Sequence, residues 1–414
     1  MNLVRSRLRR RSSQGPTRHH VLYLIDRLAN AGGTEGVLQK ICRFLPSDRF
    51  RVSVATLLAA DNIRDNFPCP ISVYPLNRIY GWHAFKCGLE LSRFVRSERV
   101  DIMHTFFPAS DIWGGSVATL SGCPIWVSSR RDMGILRMKK HRLPYFFANH
   151  FADQIQAVSE GVREYCIAEE RLDPDKVVTV TNGVDLETID AADRYDRGEM
   201  FGLESSTPLV VTTANPRIVK GIDVLVQAIP IVRKEFPKVK FLVIGETPDP
   251  TYKQELSDLV SELGLGGNIS FLGARDDVFS LLKMADVFCL PSRSEGLSNA
   301  LLEAMSCSLP CVATDAGGNS EVVDEGQSGF LVPIERPDSL ADRIVRLLRN
   351  RELMKSMGLA GREIVERRFT VQHMVDQLIL LYDRLLEQRG LSSPIVRQRH
   401  DPDGKGALPR FSAE

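Results

Sequence analysis

The sequence predicts an α/β protein of two doubly wound domains, each a parallel sheet covered by helices on both faces. Three observations predict it. A chain of 414 residues exceeds the ~150 that one domain usually holds. Short runs rich in Val, Ile and Leu alternate with stretches of helical spacing, and repeated βα units imply right-handed crossovers. Most of the runs are continuous rather than alternating, as strands buried on both faces are.

Taken in order, residues 1–18 form a basic tail without periodicity, read as disordered. Strands are expected at 20–26, 51–58, 71–76, 101–105, 124–129, 154–159 and 177–182, with helices at 37–44, 84–95, 110–120 and 161–168. These make a first domain over 19–188. The stretch around 189–207 turns polar and acidic, with Asp190, Asp193, Asp196 and Glu199, and reads as a linker. The rhythm restarts with strands at 209–214, 240–245, 269–273, 287–291, 311–314 and 329–332. Helices follow at 222–236, 252–263, 278–284, 299–306, 338–350 and 352–367, a second domain over 208–369. A last amphipathic helix at 371–387 carries Leu378, Leu381, Leu385 and Leu386, and 389–414 reads as a second disordered tail. In such sheets ligands bind beyond the carboxyl ends of the strands, and a cleft between domains suits them.

Composition narrows the function. Apolar residues are 43% and charged residues 25%, which excludes collagen-like, coiled-coil and wholly disordered chains. Lys plus Arg is 53 against 52 for Asp plus Glu, so the chain is not built as a nucleic-acid binder. No apolar run reaches the ~18 residues of a membrane span. The Arg-rich N-terminus lacks the apolar core of a secretory signal. The eight cysteines then read as reduced core residues in a cytoplasmic protein. Cys307 and Cys311 lack the further ligands that zinc needs, so no metal site is expected.

Four segments at strand ends carry candidate chemistry. In LPSRSEGLSNALLE (290–303) a strand ends near Pro291 and a helix starts near Ser298. Gly296 admits close backbone approach. The amides of Leu297, Ser298 and Asn299 would form an anion cradle, set between Glu295 and Glu303. Carboxylates at those places suit sugar and ribose hydroxyls; a solvated loop acid and an ordinary helix acid are the other reading. In VTTANPRIVKG (211–221), Arg217 and Lys220 leave a strand end together, a pair able to neutralise a diphosphate, or else plain surface charge. LANAGGTEG (28–36) offers Gly32 and Gly33 in a tight turn. It lacks the G-x-G-x-x-G spacing and the following acid of a dinucleotide site, which argues against a nicotinamide dehydrogenase. DAGGNSE (315–321) repeats the pattern of paired glycines before a helix.

These segments resemble glycosyltransferase family 4. Glu295-x7-Glu303 is similar to its paired-glutamate signature, and Arg217-x-x-Lys220-Gly221 to its phosphate-binding pair. Gly32-Gly33-Thr34-Glu35, Asn182-Gly183-Val184-Asp185 and Gly317-Gly318-x-x-Glu321 resemble its remaining loops. The resemblance covers roughly residues 20–388 and implies the GT-B fold: two Rossmann-like domains facing a cleft, the last helix (370–388) crossing back to the first. It implies a retaining, metal-independent hexosyltransferase that uses a UDP- or GDP-sugar. Arg217 and Lys220 would hold the diphosphate and stabilise its departure, Glu303 the ribose, and Glu295 the sugar hydroxyls with Gly296–Asn299 amides. Gly32 and Gly33 would meet the diphosphate on closure, and Gly273 lies where the base is read. No cofactor is implied.

The sequence departs from the family at the fifth strand. PIWVSSRRDM (124–133) carries Arg130 and Arg131 where many members have a His. Arg131 cannot act as a base at neutral pH but could bind acceptor oxygens. His104, at the preceding strand end, is a further acceptor-side candidate, or a structural histidine. Asp173-Pro174-Asp175 mimics a metal-binding D-x-D but reads as a turn. Lys139-Lys140-His141-Arg142 before Leu143–Phe147, with the N-terminal tail, suits an anionic membrane surface or a plain basic turn. A saccharide or lipid-linked acceptor, in cell-surface polysaccharide, lipopolysaccharide or glycolipid assembly, would fit a cytoplasmic protein peripheral to the plasma membrane. The rivals are a nucleotide-sugar 2-epimerase of the same fold and a non-catalytic sugar-nucleotide binder.

Overall fold

The computed structural model describes residues 18–28, 32–58, 67–76, 81–134 and 142–391. The first domain holds strands β1 (His19–Arg27), β2 (Phe50–Leu58), β3 (Ile71–Val73), β4 (Ile102–Phe106), β5 (Ile125–Arg130), β6 (Gln154–Ala157) and β7 (Val177–Thr179). Its helices are α1 (Gly33–Phe44), α2 (Trp82–Ser97), α3 (Gly115–Ser121), α4 (Arg142–Phe151) and α5 (Glu160–Glu169). Two short helices follow, α6 (Leu186–Ala191) and α7 (Arg197–Phe201). The second domain holds β8 (Leu209–Thr213), β9 (Lys240–Ile244), β10 (Ile269–Gly273), β11 (Val287–Leu290), β12 (Cys311–Thr314) and β13 (Gly329–Val332). Its helices are α8 (Ile222–Glu235), α9 (Pro250–Glu262), α10 (Val278–Met284), α11 (Asn299–Ser306), α12 (Pro337–Leu348) and α13 (Arg351–Arg368), before α14 (Val371–Gln388).

The strand orders are β3-β2-β1-β4-β5-β6-β7 and β10-β9-β8-β11-β12-β13. Neighbouring strands pair in parallel in both sheets. The architecture is therefore the expected one, two doubly wound α/β domains. Burial explains the continuous apolar runs: Val21 to Ile25 of β1 and Leu209 to Val211 of β8 are fully covered, since helices lie on both faces.

The expected linker is more structured than its polarity suggested. Asp196 caps α7 by accepting from the amides of Gly198 and Glu199, Asp185 just before the stretch caps α6 by accepting from the Thr188 amide, and Asp190 pairs with Arg362 at 2.8 Å. Arg197 is buried, paired with Asp286 at 3.0 Å, and fixes this stretch to the second domain.

Helix α14 returns to the first domain. Val371, Met374, Val375, Leu378, Leu381, Tyr382, Leu385 and Leu386 form its buried stripe, against Val21, Tyr23 and Ile25 of β1 among others. The crossing is pinned beside Gly183: the Val184 amide donates to Phe369 O at 2.9 Å and the Val371 amide to Val184 O at 2.8 Å. A Cβ on Gly183 would sit 2.5 Å from Thr370 O, so the two chain crossings need glycine there.

His104 belongs to this seam, so of its two readings the structural one holds and the acceptor-side one is corrected. Its ring is 1% exposed and stacks on Phe106. Nδ1 is hydrogen-bonded to the Tyr382 hydroxyl at 2.7 Å, and Tyr382 donates to Tyr23 at 3.0 Å. Burial, with the Arg131 charge behind it, pushes the imidazole down to about 3, so it stays neutral and cannot reach a substrate. Tyr382→Phe strips a partner from two buried polar groups. It should cost about 1–3 kcal/mol, read as a lowered urea midpoint with an unchanged slope.

Candidate functional site

The site forms where loops of both domains meet. Strand β11 is fully buried and ends at Leu290; α11 starts at Asn299, capped by the Ser298 hydroxyl, which accepts from the Leu301 amide. Between them Glu295 is 8% exposed, and its Oε1 accepts from Lys220 Nζ and from Ser292 Oγ, both at 2.7 Å. Lys220 is held there by Gly221, whose φ of +64° is left-handed and whose Cβ would lie 2.0 Å from Pro291 O. The structure thus brings Glu295 and Lys220 together, although 75 positions separate them. Arg217 opens the short turn before Lys220, its carbonyl accepting from the Lys220 amide at 2.8 Å; its side chain is exposed and makes no hydrogen bond or ion pair among the described residues.

The amides of Leu297, Ser298 and Asn299 donate to no acceptor among the described residues, although Leu297 and Ser298 are buried. Unpaired buried amides are costly, and at a helix start they point at an anion. Glu303, one turn further along α11, is half-buried, and its carboxylate has no hydrogen-bond partner among the described residues. Burial pushes its carboxyl up, opposed by Lys40 of α1. Leu297's side chain joins the core, so only its backbone serves the site. Gly273 ends β10 at φ +67° and bridges to Gly245.

Three glycines close the seam. Gly318 N and Ser159 Oγ both donate to Gly296 O, at 3.0 and 2.8 Å. A Cβ on Gly296 would lie 2.2 Å from Arg131 O, and one on Gly317 1.8 Å from Glu295 O. Glu321 of the second domain accepts from the amides of Glu160 and Gly161 at 2.9 and 2.7 Å. It thus caps α5 of the first domain, where a carboxylate favours the helix dipole. Gly32 caps α1, and Gly33 O accepts from Asn299 Nδ2 at 2.9 Å. The first-domain glycine turn therefore already touches the start of α11.

The acceptor-side candidates divide. Arg131 is half-buried and donates to Asn182 Oδ1 at 2.5 Å, while Asn182 Nδ2 donates to Leu297 O at 3.0 Å. Burial lowers the Arg131 pKa to about 10, opposed by Glu35, so it remains charged at neutral pH. Arg130 is a correction. It is 3% exposed, paired with Asp111 at 3.1 Å and Glu170 at 3.4 Å, bonded to Asn149 and laid on the Tyr145 ring. Its charge is spent inside the domain. Asp173 accepts from the Asp175 amide at 3.0 Å and caps a short turn. Among the described residues no group of three or more His, Cys, Asp or Glu is placed to hold a metal ion. Residues 1–17, 139–141 and 392–414 lie outside the described residues; the start of the second expected tail is ordered, Arg389 being paired with Asp153 and Leu391 packed on the first-domain core; of the segment after 141, Tyr145 is buried and Phe146 exposed.

Sequence reasoning missed Asp26, near the end of β1. It accepts from the Ser110 amide at 2.6 Å, the Ser110 hydroxyl at 2.5 Å and the Ala109 amide at 3.2 Å. These bonds anchor an irregular stretch after β4: Phe107 has φ +76°, and Ser110–Gly114 is π-helical. An acid inside a strand run was the only signal.

Comparison with known proteins bears on the family and the fold. Residues 199–364 match the family model for glycosyl transferases group 1, and residues 31–188 that for glycosyltransferase family 4. A Bacillus anthracis N-acetyl-alpha-D-glucosaminyl L-malate synthase is 31% identical over 56% of this chain and 59% of its own length. An Escherichia coli UDP-Gal:alpha-D-GlcNAc-diphosphoundecaprenol alpha-1,3-galactosyltransferase is 27% identical over 72% of this chain and 79% of its own. Among solved structures, Anabaena HepE in complex with UDP and glucose shares the fold at TM-score 0.77 and 19% identity, over 88% of this chain and 99% of its own.

Burial lifts Asp26 from 3.8 to about 6 despite its three bonds. Between those values the folded chain binds more protons than the unfolded one. Stability should therefore fall as pH rises from about 4 to about 6, by at most about 3 kcal/mol, and level off above. Urea unfolding of Asp26→Asn across that window should show a smaller decline than wild type.

Proposed function

Since this chain belongs to the group 1, family 4 glycosyltransferases of GT-B type, we propose that it moves a hexosyl unit from a UDP- or GDP-sugar to a saccharide or lipid-linked acceptor, with retention and without a metal ion. The observation that carries the reading is the run of unpaired amides at Leu297, Ser298 and Asn299, flanked by Lys220 and the free Arg217. Breaking the anomeric C–O bond leaves negative charge on the diphosphate. Preorganised amides and two cations aimed at that charge lower the barrier. Glu295, held by Lys220 and Ser292, orients sugar hydroxyls, and the unpartnered Glu303 takes the ribose. The acceptor proton passes to the departing phosphate oxygen on the same face, which needs no histidine.

The Escherichia coli relative named above acts on a diphosphoundecaprenol-linked sugar, which supports a lipid-linked acceptor and a place in cell-surface glycan assembly at the cytoplasmic face of a membrane. No helix among the described residues is long and apolar enough to cross one.

The test is incubation with UDP- and GDP-hexoses and an acceptor panel, with the product's anomeric configuration read by NMR. One α-donor should yield an α-linked product. Glu303→Gln should lower kcat/KM about 10- to 150-fold, the worth of a hydrogen bond to a charged group. At ~100 times its Kd the matching nucleotide should stabilise wild type by about 2.7 kcal/mol. A β-linked product, an epimerised donor or an unchanged donor would overturn the reading.

A further inference from the structure

Helix α2 has two apolar faces, and only one is used. Ala84, Cys87, Leu91 and Val95 pack inward. On the opposite side Trp82 is 71% exposed, Phe85 54% and Leu89 41%, and the Trp82 and Phe85 rings stack at 5.3 Å. The exposed cations Lys86, Arg93 and Arg96 share that side. At 100° per residue these six fall within an arc of about 100° centred away from the core, and no acid lies in it. Glu90 flanks the arc, and Glu98 is taken by Arg51 at 2.8 Å. Arg96 also donates to Leu120 O at 2.9 Å, which brings a 77%-exposed leucine of α3 to the cationic end.

We propose that this outer stripe of α2 docks the protein on an anionic lipid surface, with Trp82 and Phe85 inserted at the headgroup level. The chemistry selects that occupant. Aromatic residues followed by cations along one convex helical face match the plane of an interface. A protein partner would call for a pocket around the anchors, and the stripe stands proud of the domain.

The stripe is also placed to serve the site. Its aromatic end follows β3, where His83 Nε2 is bonded to Pro75 O at 2.8 Å. Ala84 O accepts from Trp113 Nε1 at 3.2 Å, and Trp113 lies in the π-helical stretch tied to Asp26. A bilayer touching Trp82 therefore lies at the strand-end rim that carries Asp26 and Arg131. The docking surface rests on the reading of a lipid-linked acceptor but on nothing in the donor site, which no residue of the stripe touches.

The chain has three tryptophans; Trp113 and Trp126 are buried, so Trp82 alone reports from the surface. The full chain is mixed with vesicles of phosphatidylcholine, or of phosphatidylcholine with phosphatidylglycerol, and followed by tryptophan emission and flotation. We expect a blue shift and flotation only with the anionic vesicles, weakening with salt. Phe85→Ser should weaken binding about tenfold, and Arg93→Glu should do so most at low salt. Transfer to a water-soluble acceptor should stay at the wild-type rate in both variants, which reads folding and the enzyme separately from docking. An unshifted Trp82 emission, flotation equal in wild type and Phe85→Ser, or a lipid-independent dimer that Phe85→Ser dissolves would overturn the proposal.

Discussion

The carbonyl of Gly296 accepts from the Gly318 amide of its own domain and from the Ser159 hydroxyl of the other. That close backbone approach is the constraint on which the rest of the site depends. It stands Arg131 against the loop of Glu295 and sets Asn182 under Leu297. It also lays Gly317 on Glu295 itself. Any side chain at these glycines would separate the strand ends and leave the carboxylates and cations in different places. The Glu321 cap on α5 and the Asn299 bond to Gly33 work in the same direction from either side.

The charges around the site follow a division of labour. Arg130 is neutralised inside the first domain by Asp111 and Glu170, so it serves packing. Arg131, one residue on, has an amide oxygen for a partner and keeps its charge for whatever enters. Lys220 holds Glu295 in place before any ligand arrives, and Arg217 remains unengaged. An anionic donor is met by cations that differ in how firmly they are already committed. Electrostatic preorganisation requires that arrangement, because little has to move when charge develops.

Much of this was legible in the sequence. The continuous Val/Ile/Leu runs located the strands of both sheets because runs of strand length, rich in β-branched residues, mark strands buried on two faces. Glu295, Glu303, Arg217 and Lys220 were singled out by their resemblance to the family's paired-glutamate and phosphate-binding motifs, since position and spacing alone left a solvated-charge reading open. What was not legible is long-range. The partner of Glu321 is a helix start 160 positions away. The partner of His104 is a tyrosine 278 positions on, so a strand-end histidine looked like a site residue when it is a clasp for the returning helix. Arg130 and Arg131 are identical in type, and only the fold tells which of them faces inward. The acidic stretch before β8 read as linker because a capping aspartate and a solvated one look alike in composition.

The most direct test of this account compares two glycines by titration calorimetry with UDP and GDP. Gly317 and Gly326 both have positive φ, +56° and +75°, but only Gly317 has a neighbour, Glu295 O, within reach of a Cβ. Alanine strains the backbone equally at both, at about 1 kcal/mol. The account predicts that Gly317→Ala weakens nucleotide binding by at least about tenfold while Gly326→Ala binds as wild type does. Wild-type affinity in Gly317→Ala, or equal losses in the two variants, would contradict the claim that backbone approach at this seam assembles the site.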